Sequence, residues 1–174
     1  MKLIFAILLL ATSALSQVTA NSPQSACGPF STEFKVKTVA AQSQPQPEPG
    51  KALIYVIEDF RRASNELGNP TIRLGLDGTW LGATRNKSYL SFSVAPGEHH
   101  LCSSWQSQFE RLSKLKSFAS LDAEAGRTYY YRALITYAGE IAFGQQMKLD
   151  LAPLDPDEAK YLISSAKMSQ ATPK

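Results

Sequence analysis

Between Lys51 and Leu151 the chain breaks into short segments whose apolar residues recur at every second position, separated by residues that reverse the backbone. No other feature restricts the fold as much. A period of two sends successive side chains to opposite faces, so such a segment can bury one face and wet the other only as a β-strand. Thr71 to Leu76 places Ile72, Leu74 and Leu76 inward and Arg73 outward. Asp77-Gly78 is a two-residue hairpin signal, and Thr79-Trp80-Leu81-Gly82 is the returning strand. Tyr89 to Val94 alternates in the same way before Pro96-Gly97 turns the chain. Ser117 to Leu121, Thr128 to Tyr137 and Gln145 to Leu151 supply further strands. Lys51 to Ile57 is apolar on both faces, as a strand covered on both sides must be. The predicted architecture is all-β: an antiparallel β-sandwich of about eight strands, spanning 51–152, with one C-terminal helix.

That helix announces its own start. Asp155 is an N-cap, Pro156 occupies the first helical position, and Asp157 and Glu158 place acids in the first turn. Ala159, Leu162, Ile163 and Ala166 then make one apolar stripe, expected to pack on the sandwich edge or mouth. Residues 153–174 are read as this helix followed by a frayed tail from Met168.

Residues 21–50 read as an arm and a linker. Phe34 and Val36 alternate with Lys35 and Lys37, the pattern of an edge strand with wet lysines. Pro45, Pro47 and Pro49 at every second position favour extended polyproline geometry. Residues 1–20, MKLIFAILLLATSALSQVTA, have the charge, apolar run and small residues of a secretory signal, so the protein is expected in the periplasm or medium. The apolar run is shorter than the ~20 residues a membrane helix requires. Lipidation at Cys27 is disfavoured, because polar residues precede it and Gln24 stands where a lipobox has leucine.

Cys27 and Cys102 are the only cysteines. In an oxidising compartment two such thiols pair, closing a loop of roughly 75 residues that the chain-entropy model credits with ~4 kcal/mol. Eighteen basic side chains against 15 acidic ones, a formal charge of +3, give no electrostatic case for nucleic acid or an anionic membrane.

The stretch PGEHHLCSSW carries both histidines. As a strand it sends His99, Leu101 and Trp105 one way and His100, Cys102 and Ser104 the other, so the histidines cannot share a metal, and a zinc site lacks ligands. A Cys102–His100 nucleophile pair would be separated by ~6 to 7 Å of strand rise, and oxidation removes its thiolate. There is no G-x-S-x-G elbow. A hydrolase using His99, or loop carboxylates drawn from Glu58, Asp59, Asp77, Glu98 and Glu110, is the alternative to a non-enzymatic module. From the run Tyr129-Tyr130-Tyr131-Arg132 onward, Tyr129, Tyr131, Ala133, Ile135 and Tyr137 share one face, which is assigned to the core. Tyr130 with Arg132 is the exposed pair, where a binding role competes with a plain cross-strand contact. Arg61 to Pro70 is a polar excursion between strands. Arg85 and Lys87 mark a basic loop at a sandwich end, where ligands are commonly held.

The order of these motifs resembles a known family. Pro49-Gly50-Lys51-Ala52-Leu53-Ile54-Tyr55, Leu76-Asp77-Gly78-Thr79-Trp80, Ser88-Tyr89-Leu90, Pro96-Gly97-Glu98-His99-His100-Leu101-Cys102 and Ala123-Glu124-Ala125-Gly126-Arg127-Thr128-Tyr129-Tyr130 are similar to the exported bacterial family catalogued as domain of unknown function 2846, and more loosely to PEGA-type modules. The resemblance covers about Lys51 to Leu151. It implies an immunoglobulin-like or transthyretin-like sandwich in the cell envelope, with no established activity; separately, no cofactor is expected. The function expected is a non-enzymatic binding or structural module whose partner is an envelope protein or glycan.

Overall fold

The structure is a computed structural model that describes residues 26–41, 44–60, 69–85, 87–141 and 144–174. The expected signal, residues 1–20, and most of the excursion after Phe60, residues 61–68, lie outside the described residues.

Ten strands and two helices are described: β1 (Phe34–Val39), β2 (Ala52–Phe60), β3 (Thr71–Leu76), β4 (Thr79–Arg85), β5 (Ser88–Val94), β6 (Gly97–Gln106), α1 (Glu110–Ser113), β7 (Lys116–Ala123), β8 (Thr128–Ile141), β9 (Gly144–Pro153), α2 (Pro156–Ser165) and β10 (Lys167–Pro173). They form a six-stranded sheet, β1-β10-β5-β2-β8-β9, over a four-stranded sheet, β4-β3-β6-β7. The all-β, two-sheet reading with a C-terminal helix is therefore right in class.

The sheet is not wholly antiparallel. β2 pairs β8 in parallel from Leu53↔Thr128 to Phe60↔Ile135, and β10 pairs β5 in parallel at Lys167↔Ser88 and Met168↔Tyr89. A parallel pair requires a long crossover. Between β2 and β8 the chain builds the whole four-stranded sheet, which serves as that crossover. The segment after Met168 is also no frayed tail, because it pairs with β1 over Phe34↔Pro173 to Val39↔Met168. β1 is an edge strand, as its lysines suggested.

The sandwich core joins Ile54 and Val56 of β2, Ile72 and Leu74 of β3, Leu101 and Trp105 of β6, and Tyr131, Ala133 and Ile135 of β8. β4 packs against β10 and β1 along one edge, and β7 against β9 along the other. A second cluster sits outside the six-stranded sheet, where Leu53, Tyr55 and Ile57 meet Tyr89, Leu154, Ala159 and Ile163. Helix α2 thus covers the sheet's outer face rather than its edge, which explains why β2 is apolar on both sides. The Asp155 carboxylate accepts from the N–H groups of Asp157 and Glu158 at 2.9 and 3.2 Å, so the helix begins where its capping residues predict. The Pro-rich run is docked as well. Pro45 and Pro47 are half-buried while Gln44, Gln46 and Glu48 are exposed, and the Tyr55 hydroxyl donates to the Pro45 carbonyl at 3.1 Å. Burial first, then the neighbouring Tyr89 and Tyr130, pushes the Tyr55 phenol up to about 12, so it remains a neutral donor.

Residues 26–33 cross the outer face of the four-stranded sheet before entering β1. Cys27 is bonded to Cys102, with Cα atoms 5.2 Å apart. Arg73 projects from β3 onto this outer face and is only 3% exposed. Its guanidinium donates to the carbonyls of Phe30 and Thr32, both at 2.9 Å, and to Ser104 Oγ at 3.0 Å. It lies 4.7 Å from the centroid of the Trp80 ring, whose Nε1–H donates to Pro29 O at 2.8 Å. The arm can lie this close because Gly75 stands beneath it. A Cβ there would come within 2.8 Å of the Ala26 carbonyl oxygen, and one on Gly28 would overlap the Trp80 ring.

Candidate functional site

The ends of several strands meet at one end of the sandwich. The last residues of β6, the start of β3, the end of β4, helix α1 and β1 enclose a cleft of about 470 Å³. Its apolar surface comes from Phe34, Trp105, Phe109 and Leu112. Trp105 belongs to the core and is 4% exposed, whereas Phe109 is 73% exposed. Thr71, Gln106 and Ser107 supply polar groups, and Lys35, Arg85 and Lys174 supply positive charge. Among the described residues no acidic side chain lines the cleft. Lys174 is held by Glu33 Oε2 at 2.8 Å, and that hydrogen bond and charge keep the Glu33 carboxyl below its ordinary range. Arg85 and Lys35 make no ion pair among the described residues.

Gln106 fixes one wall. Its Oε1 accepts from the Phe34 N–H at 2.7 Å, and its Nε2 donates to the Phe34 carbonyl at 3.0 Å. Arg85 is placed by the tight connection to β5, where Ser88 Oγ donates to the Arg85 carbonyl and accepts from its N–H at 2.7 and 3.0 Å. Of the two basic-loop residues singled out in the sequence, Arg85 lines the cleft. Lys87 is exposed, at φ 53° in the turn, outside the lining.

Tyr130 and Arg132 sit elsewhere and are not an exposed pair. Tyr130 is half-buried and stacks on Tyr55, ring centroids 5.4 Å apart, packed against the cluster that α2 covers. Arg132 Nη1 contacts Glu158 of α2 at 2.9 Å and Asp59 at 3.9 Å. These two residues seat the helix.

The histidine stretch is a strand, β6, with Cys102 on the outer face in the disulfide and Leu101 and Trp105 in the core. Asp77 and Gly78 have φ of 48° and 85°, the left-handed pair that a tight hairpin requires. Asp77 Oδ2 lies 2.6 Å from His99 Nδ1, its Oδ1 accepts from the His100 N–H at 2.8 Å, and His99 Nε2 faces the Ala95 carbonyl at 2.8 Å. Only the imidazolium can donate to both acceptors. Burial pushes this imidazole down, but the Asp77 hydrogen bond, the Ala95 carbonyl and the Asp77 charge outweigh it and raise His99 above 6.5. With both nitrogens engaged, His99 clamps the β3–β4 turn to the β5–β6 turn and leaves no lone pair to take a proton from a nucleophile.

A pH signature follows. The native state holds the His99 proton more tightly than the unfolded chain, so the stabilisation is complete below about pH 6.5 and disappears as pH rises through the raised native value. His99→Ala is expected to cost about 1.5 kcal/mol at pH 5.5. In urea melts across pH, the gap between variant and wild type should narrow above neutrality; a gap that widens with rising pH would contradict the clamp.

Of the other candidate carboxylates, Glu58, which is buried, and Asp59 lie on β2, Glu98 on β6 and Glu110 on α1. Asp59 faces Arg132, Glu98 lies 3.9 Å from His100, and Glu110 pairs with Lys114. Among the described residues no three His, Cys, Asp or Glu side chains converge as metal ligands.

Trp105, Gln106, Phe109, Lys35 and Lys174 escaped the sequence reading of the site. Phe109 carried the only legible signal, a lone aromatic in a polar stretch between strands.

A two-sheet β protein with a disulfide-tethered arm and a basic cleft at one end defines the class. Residues 48–145 match the model of the family described as protein of unknown function (DUF2846), and the chain belongs to that family. No curated protein matches the chain, and no solved structure does. The match includes Arg85, Trp105 and Gln106 of the cleft, whereas β1, α2 and β10 lie outside it.

Proposed function

We propose that this protein is an exported, non-enzymatic binding module of the bacterial cell envelope that holds an anionic ligand in the end cleft. One observation carries the reading: a cleft of about 470 Å³ combines Arg85, Lys35 and Lys174 with the exposed ring of Phe109, and among the described residues no acidic side chain lines it. Cations at the mouth attract and orient an anion, and the aromatic and apolar walls supply contact area. The disulfide supports residence in an oxidising compartment. No helix among the described residues is long and apolar enough to cross a membrane.

The alternative of a hydrolase has the Asp77–His99 pair in its favour, but the Ala95 carbonyl on Nε2 supports a clamp instead.

The test is a titration of the oxidised chain with peptidoglycan fragments, acidic polysaccharides and envelope proteins, followed by NMR. An acidic ligand is expected to shift the Trp105 indole and the Gln106 side-chain amide. Arg85→Glu should weaken binding about tenfold, which is about 1.4 kcal/mol. Silence across the whole panel, or binding indifferent to Arg85→Glu, overturns the proposal.

A further inference from the structure

We infer that the ligand of the cleft is an extended acidic polypeptide that adds to the open edge of β1 as a further strand. This rests on reading the cleft as an anion-binding site and names what fills it.

The phase of the ladder carries the inference. Lys174 N–H donates to the Glu33 carbonyl at 2.9 Å, and the next pair is Phe34↔Pro173. In an antiparallel ladder the residues that direct N–H and C=O at the partner alternate with those that direct both away. Glu33, Lys35, Lys37 and Val39 therefore face β10, and Phe34, Val36 and Thr38 face the opposite side. Phe34 confirms this phase, because both its main-chain groups go to the Gln106 side chain instead. That primary amide occupies the place of a strand peptide, accepting at 2.7 Å and donating at 3.0 Å. One step further along, the N–H and C=O groups of Val36 and Thr38 point the same way with no partner among the described residues. Phe34, Lys35 and Val36 line the cleft, so this edge opens into it.

Charge selects the occupant. A strand laid beside β1 comes up against Lys35 and Arg85, which make no ion pair among the described residues, and this favours acids. A second copy of β1 would set Lys35 and Lys37 against their own counterparts, and like charges across a strand pair are unfavourable. A sugar chain could meet the cations but has no peptide main chain to continue the ladder.

The experiment uses the oxidised full chain and three probes: an octapeptide alternating glutamate and valine, the same peptide N-methylated at alternate residues, and an oligogalacturonate of equal charge. The plain peptide is expected to bind, to slow amide exchange at Val36 and Thr38 about tenfold, and to bind about tenfold more weakly to Arg85→Glu. N-methylation should remove at least as much affinity. Val36→Pro deletes an N–H that β10 does not use, and is expected to abolish peptide binding while the Lys35 and Lys37 amides remain protected. Equal binding of the N-methylated peptide overturns strand addition. So does binding of oligogalacturonate with the peptide silent, and in either case the anion-binding cleft survives. Silence of all three probes overturns both. Protection of Val36 and Thr38 that grows with protein concentration alone assigns the edge to a second copy and overturns the acidic partner.

Discussion

Reduction of the Cys27–Cys102 bridge is expected to lower the unfolding free energy by about 4 kcal/mol. The bond closes a loop of 75 residues, and the chain-entropy account assigns the loss to the unfolded ensemble, which regains the freedom of that loop. In a chain of this size the loss corresponds to a fall in Tm of roughly 10 °C. Cys102 is 1% exposed against the arm, so Cys102→Ser buries a hydroxyl in a site built for sulfur and should be the worse single substitution. Cys27→Ala leaves the Cys102 thiol in an apolar setting and should approach the reduced protein. Guanidinium melts with and without reductant measure the effect. A difference under 1 kcal/mol would mean that the non-covalent anchors hold the arm unaided.

Arg73→Met should cost about 3 kcal/mol. Its guanidinium supplies donors to two arm carbonyls and to Ser104, and a buried acceptor left without a donor costs about 1–3 kcal/mol. Methionine fills much of the volume and relieves the desolvation of the cation, so the net loss is smaller than the sum over three acceptors. Burial lowers the pKa of Arg73 and the Glu33 charge opposes the change, yet the group remains a cation at any pH where the protein folds. Arg73→Lys keeps the charge but offers no planar fork to span the Phe30 and Thr32 carbonyls, and should recover less than half the loss. The Trp80 indole supplies a local readout, because its N–H is bound by Pro29 of the same arm. Its hydrogen exchange should accelerate in Arg73→Met. Because the arm shares both anchors, Arg73→Met and reduction of the disulfide are expected to be non-additive. A change below 0.5 kcal/mol with unaltered Trp80 exchange would rule out the anchoring role.

Much of the local structure was legible. The side-chain alternation in Gly97 to Gln106 placed Cys102 opposite Leu101 and Trp105, and the bridge joins it there. Asp155-Pro156 started a helix where it was expected. The two-sided apolarity of β2 correctly demanded cover on both faces, yet nothing local said that α2 provides one of them. Arg73 read as an outward residue, which it is, but only the path of residues 26–33 turns that outward face into a buried one. Tyr130 and Arg132 show the same lesson reversed, since alternation put them on the outer face and the helix then covered it. At the cleft, Arg85 was visible as charge in a loop. Trp105 and Gln106 were not, because they are the end of an ordinary-looking strand and become a wall only when β1 is laid beside them.

The amino-acid order alone settled which way each side chain leaves the backbone, where the helix starts, where hairpins turn and that the two sulfurs would join. Those features depend on dihedral preferences, on groups within a few residues of each other and on compartment chemistry. Tertiary structure decided that β2 runs parallel to β8, that the final segment is a strand between β1 and β5, and that one end of the sandwich is a basic cleft. Such choices of neighbour turn on which distant faces bury the most apolar surface after the loops between them are closed. That balance belongs to the whole chain at once, and no stretch of it carries the answer.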